Sequence, residues 1–123
     1  MFTISKNQLK DFEAQSQEQF VLKSLDFLEA NFKDWTRGQD EYDLRTFIVE
    51  TIELGEKIGI RKEVNVQKMM AIRVKHEEVN FDIFLEDEYK KIRTSSDEEL
   101  KFKLLHRSVI TIQEENDNTN LDA

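Results

Sequence analysis

Not one of the 123 residues is proline. At ordinary usage, about 5%, a chain of this length would carry roughly six. Proline is excluded most strongly from helix interiors, where it removes a backbone donor and its ring collides with the preceding turn. Glycine is scarce too, with Gly38, Gly55 and Gly59 standing alone. Long breaker-free stretches rich in Glu, Lys, Leu, Gln and Ile predict an all-α fold. The length suits one domain with a real core. The reading is therefore a helical bundle of about five helices over residues 1–112, followed by a disordered acidic tail over 113–123.

The apolar spacing places the helices. Ser5 suits an N-cap, and Leu9, Phe12, Phe20, Leu25, Phe27, Leu28 and Phe32 predict one long helix from Lys6 to Phe32. Its polar stretch marks Gln15–Gln17 as the place for a break and predicts exposure there. Lys33–Gln39 reads as a loop punctuated by Trp35 and Gly38. Asp40 can cap a second helix, with Glu41 and Asp43 in its first turn. Leu44, Phe47, Ile48, Thr51, Ile52, Gly55 and Ile58 form its buried stripe. A glycine at 55 on that stripe predicts a second helix crossing closely there. Gly59 is placed as the left-handed residue that stops the helix, and Ile60 as its apolar contact.

A third helix is predicted from Glu63 to Glu78, carrying Val66, Met69, Met70, Ile72 and Val74. Phe81, Phe84, Leu85, Tyr89 and Ile92 fit a short fourth helix, with a buried strand over Val79–Leu85 as the alternative. Thr94-Ser95-Ser96 breaks the pattern. Ser96-Asp97-Glu98-Glu99 then reads as a capping box opening a fifth helix, with Leu100, Leu104, Leu105, Val109 and Ile112 on its apolar face. From Gln113 onward only acidic charge and little apolar surface remain, which predicts disorder.

Chemistry is sparsely signalled. Without cysteine there is no disulfide framework, thiolate metal site or thiol nucleophile, and a reducing cytoplasm suits the chain. No glycine-rich phosphate loop or serine elbow occurs, and no apolar run reaches the roughly 20 residues of a membrane span. His76 opens a His-Glu-Glu run, but a zinc helix needs a second histidine at 80, where Asn80 stands. A metal-dependent enzyme built on His76, His106 and carboxylates such as Asp82 is the alternative this leaves. The net charge of −8 disfavours nucleic acid and anionic lipid and favours a basic protein partner. Met69, Met70 and the nine phenylalanines read either as core or as an adaptable apolar groove.

A resemblance covers roughly residues 2–85. It is carried by Ile4, Leu9, Phe12, Phe20-Val21, Leu28 and Phe32, and then by Leu44 to Ile52 and Ile58-Gly59-Ile60. Glu63-Val64-Asn65-Val66 and Asn80-Phe81-Asp82 complete it. This arrangement resembles a group of small helical bacterial proteins encoded near type VI secretion effectors. That group tends to show Pro and Trp after the Phe-Asp pair, where this chain has Ile83-Phe84-Leu85-Glu86. The resemblance implies an accessory role as an immunity protein, adaptor or chaperone of a secreted effector. It carries no active site across.

The function expected is thus a non-catalytic cytoplasmic protein-binding module, with no cofactor, nucleic acid or membrane. The expected partner-binding residues are Trp35, Asp40, Glu41, Asp43, Glu86, Asp87 and Glu88. Trp35 reads either as a lid on the core edge or as an exposed anchor. A self-assembling structural protein, a homo-oligomer, is the third reading.

Overall fold

The first long helix forms as the spacing predicts. In the computed structural model α1 spans Lys6–Asn31 and runs unbroken through Gln15–Gln17. The structure describes the backbone of residues 6–121 and the side chains of residues 16–118, so the Ser5 cap lies outside the described residues. Ser16 to Gln19 are exposed, whereas Val21, Ser24, Leu25 and Leu28 are buried along one helical stripe. Six α-helices and two short 3-10 helices make up the described residues, with no strand among them. The chain divides into two compact units, Met1–Ile48 and Val49–Ala123, and the division falls inside α3.

The segment expected as a loop after α1 is instead a short helix, α2, over Lys33–Arg37. Phe32 interrupts the two helices, but its carbonyl accepts from the Thr36 amide at 3.0 Å, so the chain turns again at once. Asp40 caps α3 (Glu41–Ile58), its Oδ1 accepting from the Asp43 amide at 2.8 Å. Within α3 the buried positions are Leu44, Ile48, Thr51, Leu54, Gly55 and Ile58.

The end of α3 is fixed by its glycines. Gly59 has φ +99°, and the amides of Gly59 and Ile60 both donate to the Gly55 carbonyl, at 2.8 and 2.7 Å. Ile60, fully buried, supplies the apolar contact of this motif. The tightness at Gly55 has a different origin from the predicted helix crossing. A Cβ there would press on the Ile60 carbonyl oxygen, so the constraint is the chain's own return over the helix end. At Gly59 a Cβ would meet only the flexible end of Lys101, so the backbone angle sets the cost. Gly59→Ala should lose about 1–2 kcal/mol in urea unfolding, the cost of a left-handed non-glycine residue.

Helix α4 spans Glu63–Lys75, with His76 as its C-cap, and so ends three residues earlier than predicted. Val66, Met69, Met70 and Ile72 are buried, both methionines completely. They are core, and no methionine groove is open. The predicted fourth helix resolves into a 3-10 helix over Phe81–Leu85, a second over Asp87–Tyr89, and α5 over Lys90–Thr94. The strand alternative for Val79–Leu85 is excluded. The cause is Asn80, whose side chain accepts from the Asp82 amide at 3.1 Å and tightens the turn. In 3-10 geometry positions three apart eclipse. Phe81 and Phe84 accordingly meet edge to face, ring centroids 5.7 Å apart, and Tyr89 adds to Phe84 at 4.9 Å.

The last helix, α6, spans Glu98–Leu121. Its cap is Asp97 rather than Ser96: Asp97 Oδ1 accepts from the Glu99 amide at 3.2 Å. Glu98 and Glu99 are thereby released to reach the start of α4, which has no side-chain cap of its own. Glu98 Oε1 accepts from the Arg61 amide at 2.8 Å, and its Oε2 accepts from the buried Asn65 side chain at 2.6 Å and the Lys62 amide at 3.1 Å. Lys62 Nζ pairs with Glu99 at 2.8 Å. Gln113 to Leu121 of the tail expected over 113–123 continue α6 as helix, and its last two residues lie outside the described residues. Neither proline nor glycine follows Ile112, so propagation adds a bond per residue unopposed, and Gln113 donates to Asp117 one turn on at 3.0 Å.

Candidate functional site

A concavity lined largely by charged side chains lies in the C-terminal unit. On α3, Glu50, Glu53, Leu54 and Lys57 fall at positions i, i+3, i+4 and i+7, so they share one face beside the buried stripe. Arg73 comes from the last turn of α4. The Asn80 turn then carries Val79, Phe81 and Asp82 back against that face. Together with Glu77 and Leu85 these residues enclose a pocket of about 470 Å³. Leu54, Val79 and Phe81 are buried and form its inner wall.

Its electrostatics are uneven. Arg73 is mostly buried; its Nη1 donates to the Thr51 hydroxyl at 2.6 Å, and Glu50 lies 3.7 Å from its other nitrogen. This bond satisfies the hydroxyl of Thr51, which is itself completely buried. Burial pulls the Arg73 guanidinium below its ordinary value, while Glu50 and Asp82 pull it back up. Glu53, Glu77 and Asp82 stand differently. All three are exposed, and Asp82 acts on Arg73 through its charge. The lining therefore holds four carboxylates, Glu50, Glu53, Glu77 and Asp82, against two cations, Lys57 and Arg73.

No family model, curated protein or solved structure matches this chain.

The residues singled out from sequence fall into two groups. Trp35, Asp40, Glu41 and Asp43 belong to the N-terminal unit, and Glu86, Asp87 and Glu88 to the C-terminal one. Trp35 is half-buried and packs edge-on against Phe47, centroids 4.8 Å apart. Asp40 is occupied as the α3 cap. Glu41 accepts from Arg45 at 3.3 Å, and Arg45 also bonds Glu18 at 2.9 Å. These two carboxylates thus raise the Arg45 pKa. Asp43 is exposed in the first turn. Glu86, Asp87 and Glu88 are all exposed and directly follow Leu85 of the pocket wall.

His76 and His106 are near enough for their charges to interact. Burial lowers the His106 pKa first, and His76 and Lys75 lower it further. Yet no group of three or more His, Asp or Glu side chains able to hold a metal gathers among the described residues. Asp82, the third member of the set considered, lines the acidic pocket instead. Sequence reading did not single out Glu50, Glu53, Glu77 or Arg73. The α3 spacing was the available signal for the first two. Nothing local announced that Glu77 and Asp82 would be turned to the same pocket.

Proposed function

We propose that the chain is a non-catalytic, cytoplasmic protein-binding module whose partner presents a basic surface. One observation carries the reading. In the C-terminal unit the acid-lined pocket leads directly, through Leu85, into the exposed run Glu86-Asp87-Glu88. Like charges close together repel each other, and a cationic partner removes that repulsion while raising the encounter rate. The net charge of −8 acts in the same direction and opposes packing one copy on another. No described helix is long and apolar enough to cross a membrane. The resemblance to proteins encoded beside secreted effectors supplies the role: an immunity protein, adaptor or chaperone holding a basic face of its effector.

The test is capture from a host lysate followed by association kinetics with the recovered protein. Reversing Glu86, Asp87 and Glu88 to lysine together should slow association about tenfold or more at low salt. The difference should shrink above 0.1 M salt, where the Debye length is about 10 Å or less. An unchanged on-rate would remove this run from the interface. A bait that returns only its own copies would favour self-assembly.

A further inference from the structure

We infer that the groove between α4 and α6 docks a short acidic segment of a protein partner, a second surface of opposite sign to the acidic one above. The first argument is how charge is distributed along the chain. Residues 64–76, in α4 and its cap, and residues 100–113 of α6 hold six of the 18 Lys and Arg residues and both histidines, yet none of the 26 Asp and Glu residues. All the acid of the chain thus lies outside these two runs. The fold then lays the runs side by side in the same direction. Asn65 meets Glu98 at 2.6 Å near the start of both helices, the Lys68 ammonium lies 5.7 Å over the Phe102 ring, and His76 at the end of α4 is near enough to act on His106.

Helical spacing sorts the side chains. Val64, Lys68, Ala71 and Lys75 share one face of α4, and Lys103, Arg107 and Ile110 share one face of α6; all but Ala71 are exposed. Arg73 lies on nearly the opposite side of α4, where it bonds Thr51, so it belongs to the acid-lined pocket and not to the groove. Lys75, Lys103 and Arg107 have no hydrogen bond or ion pair among the described residues, and Lys68 rests on an aromatic ring rather than a carboxylate. The carboxylates that bound the runs are Glu63 and Glu99 at one end and Glu77 and Glu114 at the other, with Glu99 already held by Lys62. Half-buried His106 registers the same surplus independently. Burial lowers its pKa first, and the charges that lower it further, His76 and Lys75, are both positive when protonated.

The spacing also decides what kind of anion fits. Lys68 and Lys75 stand seven residues apart, about 10 Å along α4. Cations strung out in this way suit an extended ligand and not one phosphate gripped at a point. Exposed Val64 and Ile110, with half-buried Phe102 between the helices, offer apolar contact along the same groove. An amphipathic acidic helix laid along two neighbouring helices uses both features. The acid carried by the rest of the chain would repel a long polyanion running past the groove, which favours a short protein segment over nucleic acid.

The experiment is a titration of the isotope-labelled full chain at low salt, followed by amide chemical shifts. The probe is an amidated peptide of three Glu-Ala-Leu-Glu repeats, with its Gln-Ala-Leu-Gln counterpart and an oligothymidylate of the same length run beside it. The acidic peptide should give saturable shifts centred on Lys68 to Lys75 and Phe102 to Ile110, with a Kd on the order of 0.1 mM. The glutamine peptide should bind at least tenfold more weakly. The triple variant Lys75→Gln/Lys103→Gln/Arg107→Gln, altered only at exposed positions, should weaken binding of the acidic peptide about tenfold while keeping the parent's thermal unfolding curve. Equal binding of the glutamine peptide, shifts centred outside the groove, no saturable shift at roughly ten times the expected Kd, or a triple variant that binds like the parent would each overturn the assignment. Tighter binding of the oligothymidylate would make the groove a nucleic-acid surface and overturn it as well. So would groove shifts that appear on concentrating the protein alone, which would assign the groove to a second copy.

Discussion

Gly55→Ala will destabilise the fold, although alanine is the better helix former by about 1 kcal/mol. Propensity is outweighed by geometry. The added Cβ falls inside contact distance of the Ile60 carbonyl oxygen, which is backbone and cannot rotate away. Relief requires lifting the turn that follows α3. That turn is held by the Gly59 and Ile60 amides on the Gly55 carbonyl, and by Ile60 itself, which is fully buried. Val66 of α4 lies 3.7 Å from the same Cβ position, in ordinary contact. Overpacking of this kind costs about 1–3 kcal/mol net for alanine, and Gly55→Leu should exceed it. Urea unfolding of both variants is the measurement. An alanine variant as stable as the parent would mean that the turn moves freely, and the constraint assigned to Ile60 would be wrong.

Gly55 also shows how far the sequence could be read. Its place on the α3 stripe told that something came close, because a glycine there sacrifices helix propensity. It could not tell whether the close neighbour was another helix or the chain's own return. Leu44, Ile48, Thr51, Gly55 and Ile58 were legible because they obey one helical period, whereas Phe47 and Ile52, expected on the same stripe, are only half-buried. The region from Phe81 to Thr94 was not, because a 3-10 turn also places apolar residues three apart. Phe81 and Phe84 therefore fit an α-helical pattern that the Asn80 turn then overrode. The length of α6 was missed for an opposite reason. Low apolar content beyond Ile112 argued for disorder, yet an established helix lacking breakers simply continues.

The acidic surface was legible as composition and only partly as place. Three acidic runs looked alike in sequence, and the structure gives them different work. Asp40 caps α3, Glu98 and Glu99 bind the start of α4, and Glu86 to Glu88 stay exposed. Only tertiary pairing distinguishes a carboxylate with a structural partner from one displayed to solvent. The pocket residues Glu77 and Asp82 needed the turn at Asn80, whose consequence reaches across to α3.

The clasp between α6 and α4 should make the C-terminal unit sensitive to acid. Glu98 accepts from the Arg61 and Lys62 amides and from buried Asn65, so it does for α4 what a local N-cap would do. Partial burial of Glu98 pushes its pKa up, but the bonds from Arg61, Asn65 and Lys62 outweigh this and the net shift is downward. Glu99 is lowered to about 2, first by the bond from Lys62. A depressed folded pKa stabilises above the unfolded value, about 4.3 for Glu, and that contribution disappears as pH falls through the folded value. Stability should therefore be level near pH 6 and decline from about pH 5 toward pH 2. Glu98→Ala removes the acceptor at every pH, leaves the buried Asn65 amide only its longer 3.5 Å bond to Glu99 and returns the exposed Arg61 and Lys62 amides to water, which should cost about 1–2 kcal/mol at pH 7. Glu98→Gln retains a neutral acceptor and should lose less. The decisive comparison is the pH slope. Urea midpoints at pH 6, 4 and 3 should fall less steeply for Glu98→Gln than for the parent, because that variant has no proton to take up at this site. Parallel slopes would mean that the acid response arises at other carboxylates and that the clasp does not couple protonation to folding.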